Sequence, residues 1–330
     1  MDAHQRIRSV LAGDKPDRPA FALWQHFPSA EGSPRALADA TVDFARAWRP
    51  DLIKHTPNGM FAVEDWVEAL TGSRDMTVDT DNLPYALNLD FDWHDLDALD
   101  VRKGALGREL EALRIVCDTI GSEVPVYMTL FGPLTLAGKL AGARIVDDMK
   151  HAPDALHDGL AVITDTMVAF TKAIRDTGAH GLYFATQYAS HTLLSEADHA
   201  AFGEPYDIAL LEAWDNAEPI ILHLCGEHVF FDLCNSYPVE AICWDHGFSE
   251  PSFREAFEQT DRVIVAGMEE GAFPVSAQTV RAQADHALAV SDGVRHILAP
   301  TCVIPDGSGR ESFTAVTDAV GAHGRTFRAD

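Results

Sequence analysis

The feature that most constrains the fold is a regular alternation of two patterns along the 330-residue chain. Short apolar runs rich in β-branched and aromatic residues are separated by longer stretches with helical periodicity. This alternation is typical of parallel strands joined by helical crossovers, and eight such units in about 300 residues favour a TIM barrel. We therefore predict an α/β fold, a single-domain (β/α)8 barrel over residues 1–330. The predicted strands cover residues 19–24, 51–55, 124–130, 180–185, 219–224, 241–244, 262–266 and 295–299.

The least regular part of the pattern lies between the second and third predicted strands. Residues 60–112 are expected to form an insertion of irregular and helical pieces. A doubly wound open sheet is the alternative architecture. No G-x-G-x-x-G stretch follows any predicted strand, which disfavours that alternative.

The charge balance limits the partners. Lys plus Arg total 25 against 51 Asp plus Glu, a formal net charge of −26. Proteins that bind nucleic acid or anionic membranes do so through a positively charged surface, so neither is an expected partner. No apolar run approaches the roughly 18 residues of a membrane span, and residues 1–19 have no signal-peptide core. Five cysteines, an odd number, argue against a disulfide framework and for a reduced cytoplasmic protein.

Sulfur and imidazole side chains gather at the ends of the predicted strands, where barrel enzymes carry their active sites. The fifth predicted strand delivers His223 and Cys225, two residues apart and so on one face. Cys302 follows the eighth predicted strand. One imidazole and two thiolates form a zinc-like donor set that leaves a fourth position for a substrate. The sequence predicts a catalytic zinc site here; the simpler alternative is that these cysteines are small buried hydrophobic residues.

Three further residues at the strand ends are candidate catalytic groups. His26 follows the first predicted strand, Gln187 the fourth and Asp245 the sixth. An imidazole can move a proton, an amide can hydrogen-bond a substrate, and a carboxylate can orient the zinc histidine. The alternative for each is a structural turn or cap. Glu227 or His228, directly after the zinc pair, is either a fourth zinc ligand or a helix cap.

The other cysteines lack ligand-like spacing. Cys234 and Cys243 show no such pattern, and Cys117 lies in a predicted amphipathic helix. We expect all three to be core or semi-buried thiols.

Two motifs resemble a known family. Residues 130–143 read LFGPLTLAGKLAGA and contain the G-P-x-T-x-A pattern of the uroporphyrinogen decarboxylase superfamily. His223 and Cys225 in HLCG, with Cys302 in PTCVIPDG, resemble the H-x-C…C zinc motif of its methyltransferase branch, which includes the methylcobamide:coenzyme M methyltransferases. The resemblance extends over nearly the whole chain. It implies a UroD/MetE-like barrel and a zinc-bound thiolate acting on a methyl group.

The chain also differs from the decarboxylases of this superfamily near its first strand. The decarboxylases carry arginines near the first strand that hold the carboxylates of a tetrapyrrole. This chain has Gln25 and His26 there and no further arginine until Arg35. Porphyrinogen decarboxylation is therefore disfavoured.

The favoured function is a zinc-dependent methyltransferase in demethylation or one-carbon metabolism. Its methyl donor would be a methylated corrinoid on a partner protein, or a small methylated compound, and its acceptor a zinc-activated thiol or similar group. No D-x-H-x-x-G stretch occurs, so a corrinoid would have to arrive on a partner. The alternatives are a decarboxylase-like lyase of a small carboxylate and a non-catalytic metal-binding or corrinoid-partner protein.

Overall fold

A computed structural model describes residues 1–79, 85–214 and 218–326, and its centre is one curled sheet of parallel strands. The eight strands are β1 (Ala20–Phe21), β2 (Ile53–His55), β3 (Val126–Phe131), β4 (Gly181–Thr186), β5 (Ile220–Leu224), β6 (Ala241–Trp244), β7 (Val263–Met268) and β8 (His296–Pro300). They pair in the order β1-β8-β7-β6-β5-β4-β3-β2. A parallel bridge also joins Ala22, just after β1, to Leu52, just before β2.

Helices connect successive strands and cover the outside of the sheet. They are α1 (Ala3–Leu11), α2 (Pro34–Trp48), α3 (Glu64–Thr71), α4 (Gly104–Ile120), α5 (Pro133–Ala141), α6 (Arg144–His151), α7 (Pro153–Arg175), α8 (Glu196–Phe202), α9 (Glu204–Glu212), α10 (Leu233–Ser236), α11 (Phe253–Gln259), α12 (Ala277–Ser291) and α13 (Arg310–Thr326), with 3-10 turns at Trp93–Asp95 and Glu270–Ala272. Within the three described segments, none of these helices combines the length and apolarity needed to cross a bilayer.

The predicted strands are confirmed, with shifted ends. The largest difference is the first, predicted at 19–24 and observed as Ala20–Phe21, with its later residues held by single bridges. The insertion expected at 60–112 contains α3, a 3-10 turn and the start of α4, while residues 80–84 lie outside the described residues. A doubly wound sheet would reverse its strand order internally, and the sequential order observed here has no such reversal.

Local sequence signals fix several helix starts. The Asp2 side chain accepts a hydrogen bond from the backbone N–H of Gln5 at 2.7 Å, and the backbone N–H of Asp2 donates to the Gln5 side-chain oxygen at 3.0 Å, which completes a capping box before α1. Ser33 caps α2 and is followed by Pro34, a favoured first helical residue. Ser252 and Glu255 form a second capping box at α11. These caps fix the residue at which each of the three helices begins.

Two apolar cores lie on the two faces of the sheet. The larger one packs the helices against its outer face. The inner one collects side chains from the strands and their immediate flanks, with Ile7 and Val10 of α1. Its members from the sheet are Ala20, Ala22, Trp24, Leu52, Tyr127, Tyr183, Ile221, Ala241, Cys243, Val263, Val265, Ile297 and Ala299. Alternate residues of each strand therefore point inward, as the two-residue period of a strand requires.

Candidate metal centre

Strand β5 supplies two of the predicted ligands. His223 lies near its end and Cys225 directly follows it, so both share the face of the inner-core residue Ile221. In the strand register, His223 lies between Ala185 of β4 and Cys243 of β6. The neighbouring strands thus fix the position of the imidazole from both sides.

The turn after Cys225 holds the thiol at the edge of the sheet. The backbone N–H of Cys225 donates to the carbonyl of Thr186 at 3.2 Å, which continues the pairing with β4. Gly226 then adopts a φ of 106°, a conformation that glycine tolerates and other residues rarely adopt. The hydroxyl of Ser249 donates to the Gly226 carbonyl at 3.1 Å. Cys225 is therefore held by strand pairing before the turn and by the Ser249 contact after it.

Cys302 comes from the loop that follows β8. The preceding residue, Thr301, donates its N–H to the Met268 carbonyl at 2.8 Å and its hydroxyl to Glu270 at 2.6 Å. The indole N–H of Trp24 donates to the Cys302 carbonyl at 3.0 Å. Contacts from β7 and from the segment after β1 therefore set the position of this loop.

These elements bring the three predicted ligands together. The donor atoms of His223, Cys225 and Cys302 all lie within 4.8 Å of one another. No other three His, Cys, Asp or Glu side chains meet this closely in the described parts of the chain. Ligands of a tetrahedral zinc lie about 3.5 Å apart, so small side-chain adjustments would complete the geometry. The imidazole is buried and both cysteines are partly exposed, so the donor set fits a zinc site that a substrate can reach.

The ligands also influence one another's protonation. Burial opposes a charge on His223, but the nearby sulfur atoms of Cys243 and Cys302 raise its pKa to about 9. A hydrogen bond with Cys302 lowers the pKa of Cys225, and the same contact raises that of Cys302. The shared contact therefore makes Cys225 the more acidic of the two thiols, beside an imidazole that is more basic than usual. A metal ion would replace the protons, because zinc binds deprotonated thiols and neutral imidazole.

Two of the three predicted catalytic residues lie near these ligands. The Gln187 side-chain N–H points to the Cys225 sulfur at 3.8 Å, and its backbone N–H donates to the Thr135 hydroxyl at 2.9 Å. Asp245 follows β6 and accepts the Gly247 N–H at 3.0 Å. Burial, and then the charge of a neighbouring glutamate, raise the pKa of Asp245 to about 6. Gln187 thus contacts Cys225, and Asp245 interacts electrostatically with His223.

The remaining predicted groups lie away from the donor set. The Nδ1 atom of His26 lies 3.3 Å from Glu31, and that carboxylate is its described partner. Glu227 and His228 are exposed and are not part of the three-residue group. The next helix, α10, begins at Leu233, so neither residue lies at a helix start.

One of the expected core cysteines lies next to the site. Cys234 and Cys243 are buried and Cys117 is partly exposed on α4, in line with the expectation. Cys243, however, is the strand neighbour of His223. The Tyr183 hydroxyl donates to its sulfur at 3.2 Å. The sequence pattern gave no sign of this contact because it depends on strand register.

Two buried lysines near the cluster were not foreseen from the sequence. Lys54 lies on β2 and Lys139 on α5. Burial lowers the pKa of each to about 8, an effect that the nearby sulfur atoms partly oppose. The available signal was a lysine inside an otherwise apolar segment, LIKH for Lys54 and LAGKLAG for Lys139.

Comparison with known proteins places the chain in a family. The sequence profile described as Uroporphyrinogen decarboxylase (URO-D) matches residues 20–323, a range that includes every strand and all three ligands. The chain belongs to the URO-D family. Family membership confirms the resemblance of the G-P-x-T-x-A and H-x-C…C motifs.

Several relatives of this URO-D family chain are methyltransferases by name. Methylcobamide:CoM methyltransferase MtbA of Methanosarcina acetivorans is 25% identical over 136 residues, 41% of this chain. The chain spans only 40% of the length of that relative. Methylcobamide:CoM methyltransferase MtaA of Methanosarcina barkeri is 27% identical over 249 residues, 72% of this chain and 69% of that protein.

Solved structures share the fold. A methyltransferase from Methanosarcina mazei superposes with a TM-score of 0.81 at 19% identity, covering 98% of this chain and 99% of that chain. A B12-independent methionine synthase from a Shewanella species gives a TM-score of 0.58 at 13% identity, covering 96% and 95%. At these identities the likeness concerns the fold alone.

Proposed function

We propose that this URO-D family protein is a zinc-dependent methyltransferase. His223, Cys225 and Cys302 would hold the zinc, and a thiol or similar soft acceptor would receive the methyl group. The observation that carries the proposal is the approach of these three donor atoms to within 4.8 Å at the carboxyl-terminal edge of the sheet. The names of the MtbA and MtaA relatives support methyl transfer as the reaction class.

When bound, the zinc ion would lower the pKa of an acceptor thiol and hold it as a nucleophilic thiolate. The chain's own residues would orient the reactants. The Gln187 amide, 3.8 Å from the Cys225 sulfur, would limit the movement of that ligand. Asp245 would hydrogen-bond the substrate or orient His223, since its carboxyl group lies at the same edge. His26 is proposed as a weaker contributor at the outer rim.

The proposed methyl donor is a methylated corrinoid on a partner protein, or a small methylated compound. Of these two donors, the methylated corrinoid on a partner protein is favoured, because the names of several relatives include methylcobamide. We also propose that residues 1–330 form one domain, a cytoplasmic closed barrel. The Ala22–Leu52 bridge supports closure, since it links the two strands at the ends of the sheet order.

The alternative functions use the same fold without this chemistry. In a decarboxylase-like lyase the cysteines would be structural, and in a non-catalytic metal- or corrinoid-binding protein turnover would be absent. Arg35, the first arginine after the β1 region, is exposed and paired with Asp39. It therefore offers no buried guanidinium group that could bind a polycarboxylate substrate.

Metal analysis and an activity assay test the proposal together. Protein expressed with added zinc should contain about one zinc per chain. It should also move a methyl group from methylcobalamin to a small thiol, with Cys302→Ser inactive. Metal-free wild-type protein would contradict the zinc site, and decarboxylation of uroporphyrinogen at ordinary enzyme rates would favour the lyase.

A further inference from the structure

Lys54 occupies an unusual position on the inner face of β2. Its side chain is 7% exposed. The ammonium group lies 4.1 Å from the ring centre of Tyr183 and 5.1 Å from that of Trp24. Both aromatic residues belong to the inner core that leads up to the metal ligands. The charge is therefore held inside the sheet by cation–π contacts and not released to solvent.

Within residues 1–79, 85–214 and 218–326, no carboxylate is paired with this ammonium group. Among the described ion pairs, none includes Lys54, and the groups that interact with it electrostatically are the thiols of Cys302, Cys243 and Cys225. An isolated buried ammonium group is costly, so a compensating negative charge is expected close by. Two of these three cysteines are the proposed metal ligands. The Tyr183 ring, which the ammonium group faces at 4.1 Å, lies 5.3 Å from the His223 ring between centres, so Lys54 and the metal centre belong to one cluster.

We propose that Lys54 is a positioning residue whose positive charge stabilises the metal-bound thiolates of Cys225 and Cys302. This inference rests on the proposed function. Two cysteine thiolates balance the two charges of a zinc ion, and an added substrate thiolate leaves one negative charge unbalanced. The Lys54 ammonium neutralises that excess inside a site that is partly shielded from water. It therefore favours binding of an anionic acceptor to the zinc.

Lys139 provides an internal comparison. It is also buried, and its ammonium group lies 4.9 Å from the ring centre of Phe131. Its described electrostatic interaction with the cluster is with Cys225 alone. Removal of the charge at Lys139 should therefore weaken thiol binding at the metal centre less than removal of the charge at Lys54.

The affinity of the zinc-loaded protein for 2-mercaptoethanol, measured by calorimetry, tests the proposal. Lys54→Met keeps most of the side-chain volume and removes the charge, and we expect it to weaken thiol binding by about 10- to 100-fold. Lys139→Met, the matched control, should weaken it by less. Lys54→Met with wild-type affinity would overturn the proposal, as would an equal loss in both variants.

Cobalt substitution gives a readout that a purely structural role would not change. Removal of the cation near the thiolates should move the sulfur-to-cobalt charge-transfer band of the Co²⁺ protein to lower energy in Lys54→Met. If that variant fails to fold, Lys54→Arg and Lys54→Gln replace it, and the arginine variant must retain the higher thiol affinity. Equal affinities in those two would refute the proposal.

The two failures are distinguishable. Wild-type protein that binds no zinc would remove the proposed function and this inference together. Wild-type protein that binds zinc and 2-mercaptoethanol, with Lys54→Met binding that thiol equally well, would remove the inference alone.

Discussion

His223 and His55 are both buried histidines near the carboxyl-terminal ends of parallel strands, yet their surroundings differ completely. His223 faces the inner side of the sheet and lies among the sulfur atoms of the metal centre. His55 is fully buried, and its nearest carboxylate oxygen, on Glu109, is 3.9 Å away. Burial lowers the pKa of His55 to about 4, whereas the sulfur neighbours raise that of His223 to about 9.

The difference arises from the face of the strand. Lys54 points inward toward Tyr183, so the next residue, His55, points to the opposite face. There it meets Glu109, which is paired with Arg108 at 2.8 Å. A histidine at a strand end is thus a site residue only when its strand turns it toward the inner face and suitable donors converge there.

Substitution of the two histidines should separate these roles most strongly. His223→Ala should reduce bound zinc from about one per chain to nearly none, because a site with three protein ligands binds zinc weakly once one of them is removed. His55→Leu should keep the metal. Metal content after dialysis, with circular dichroism as the folding control, measures both. Loss of zinc in His55→Leu alone would reverse the assignment.

Acid stability should show the second difference. The folded-state pKa of His55, about 4, lies below its ordinary value of 6.5, so the folded protein binds fewer protons than the unfolded chain between these values. Wild-type stability should therefore fall by about 3 kcal/mol from this residue as pH drops from 6.5 to 4. His55→Leu lacks this loss. The unfolding free energy of His55→Leu minus that of the wild type should therefore increase as pH falls. A difference that stays constant with pH in denaturant titrations would contradict the account.

The residues beside the ligands should affect turnover but not metal content. Gln187→Ala and Asp245→Ala are each expected to lower kcat/KM by about 10-fold. The reason is that the Gln187 side chain would orient Cys225 and the Asp245 side chain would orient His223 or the substrate. His26→Ala, at the rim, should have a smaller effect. Zinc analysis serves as the control for all three. Loss of metal from Gln187→Ala would show that its 3.8 Å contact with Cys225 is needed for metal binding itself.

The buried cysteine next to the site should give the smallest effect. Cys243→Ala removes the acceptor of the Tyr183 hydroxyl, which we expect to cost about 1 kcal/mol of stability. Zinc content should remain at the wild-type value. A zinc loss comparable to that of His223→Ala would mean that Cys243 is itself a ligand.

Much of the fold and the ligand set could be predicted from the sequence, because both depend on local patterns. Alternating strand and helix signals gave the strands, and the spacing of His223 and Cys225 placed both on one face. The roles of Lys54, Cys243 and His55 could not be obtained in this way. Each depends on strand register or on which face is inward, and a shift of one residue would exchange the two faces.

The central claim is that the cluster holds a zinc ion with a position open to a thiol. X-ray absorption at the zinc edge, recorded with and without a small thiol that supports turnover, tests it most directly. The account predicts two sulfur ligands and one imidazole with an oxygen or nitrogen donor in the free protein, and a third sulfur once the thiol is added. Calorimetry in two buffers should show the accompanying release of a proton. A thiol that is methylated without ever adding sulfur to the zinc shell would contradict the mechanism and leave the metal with a structural role.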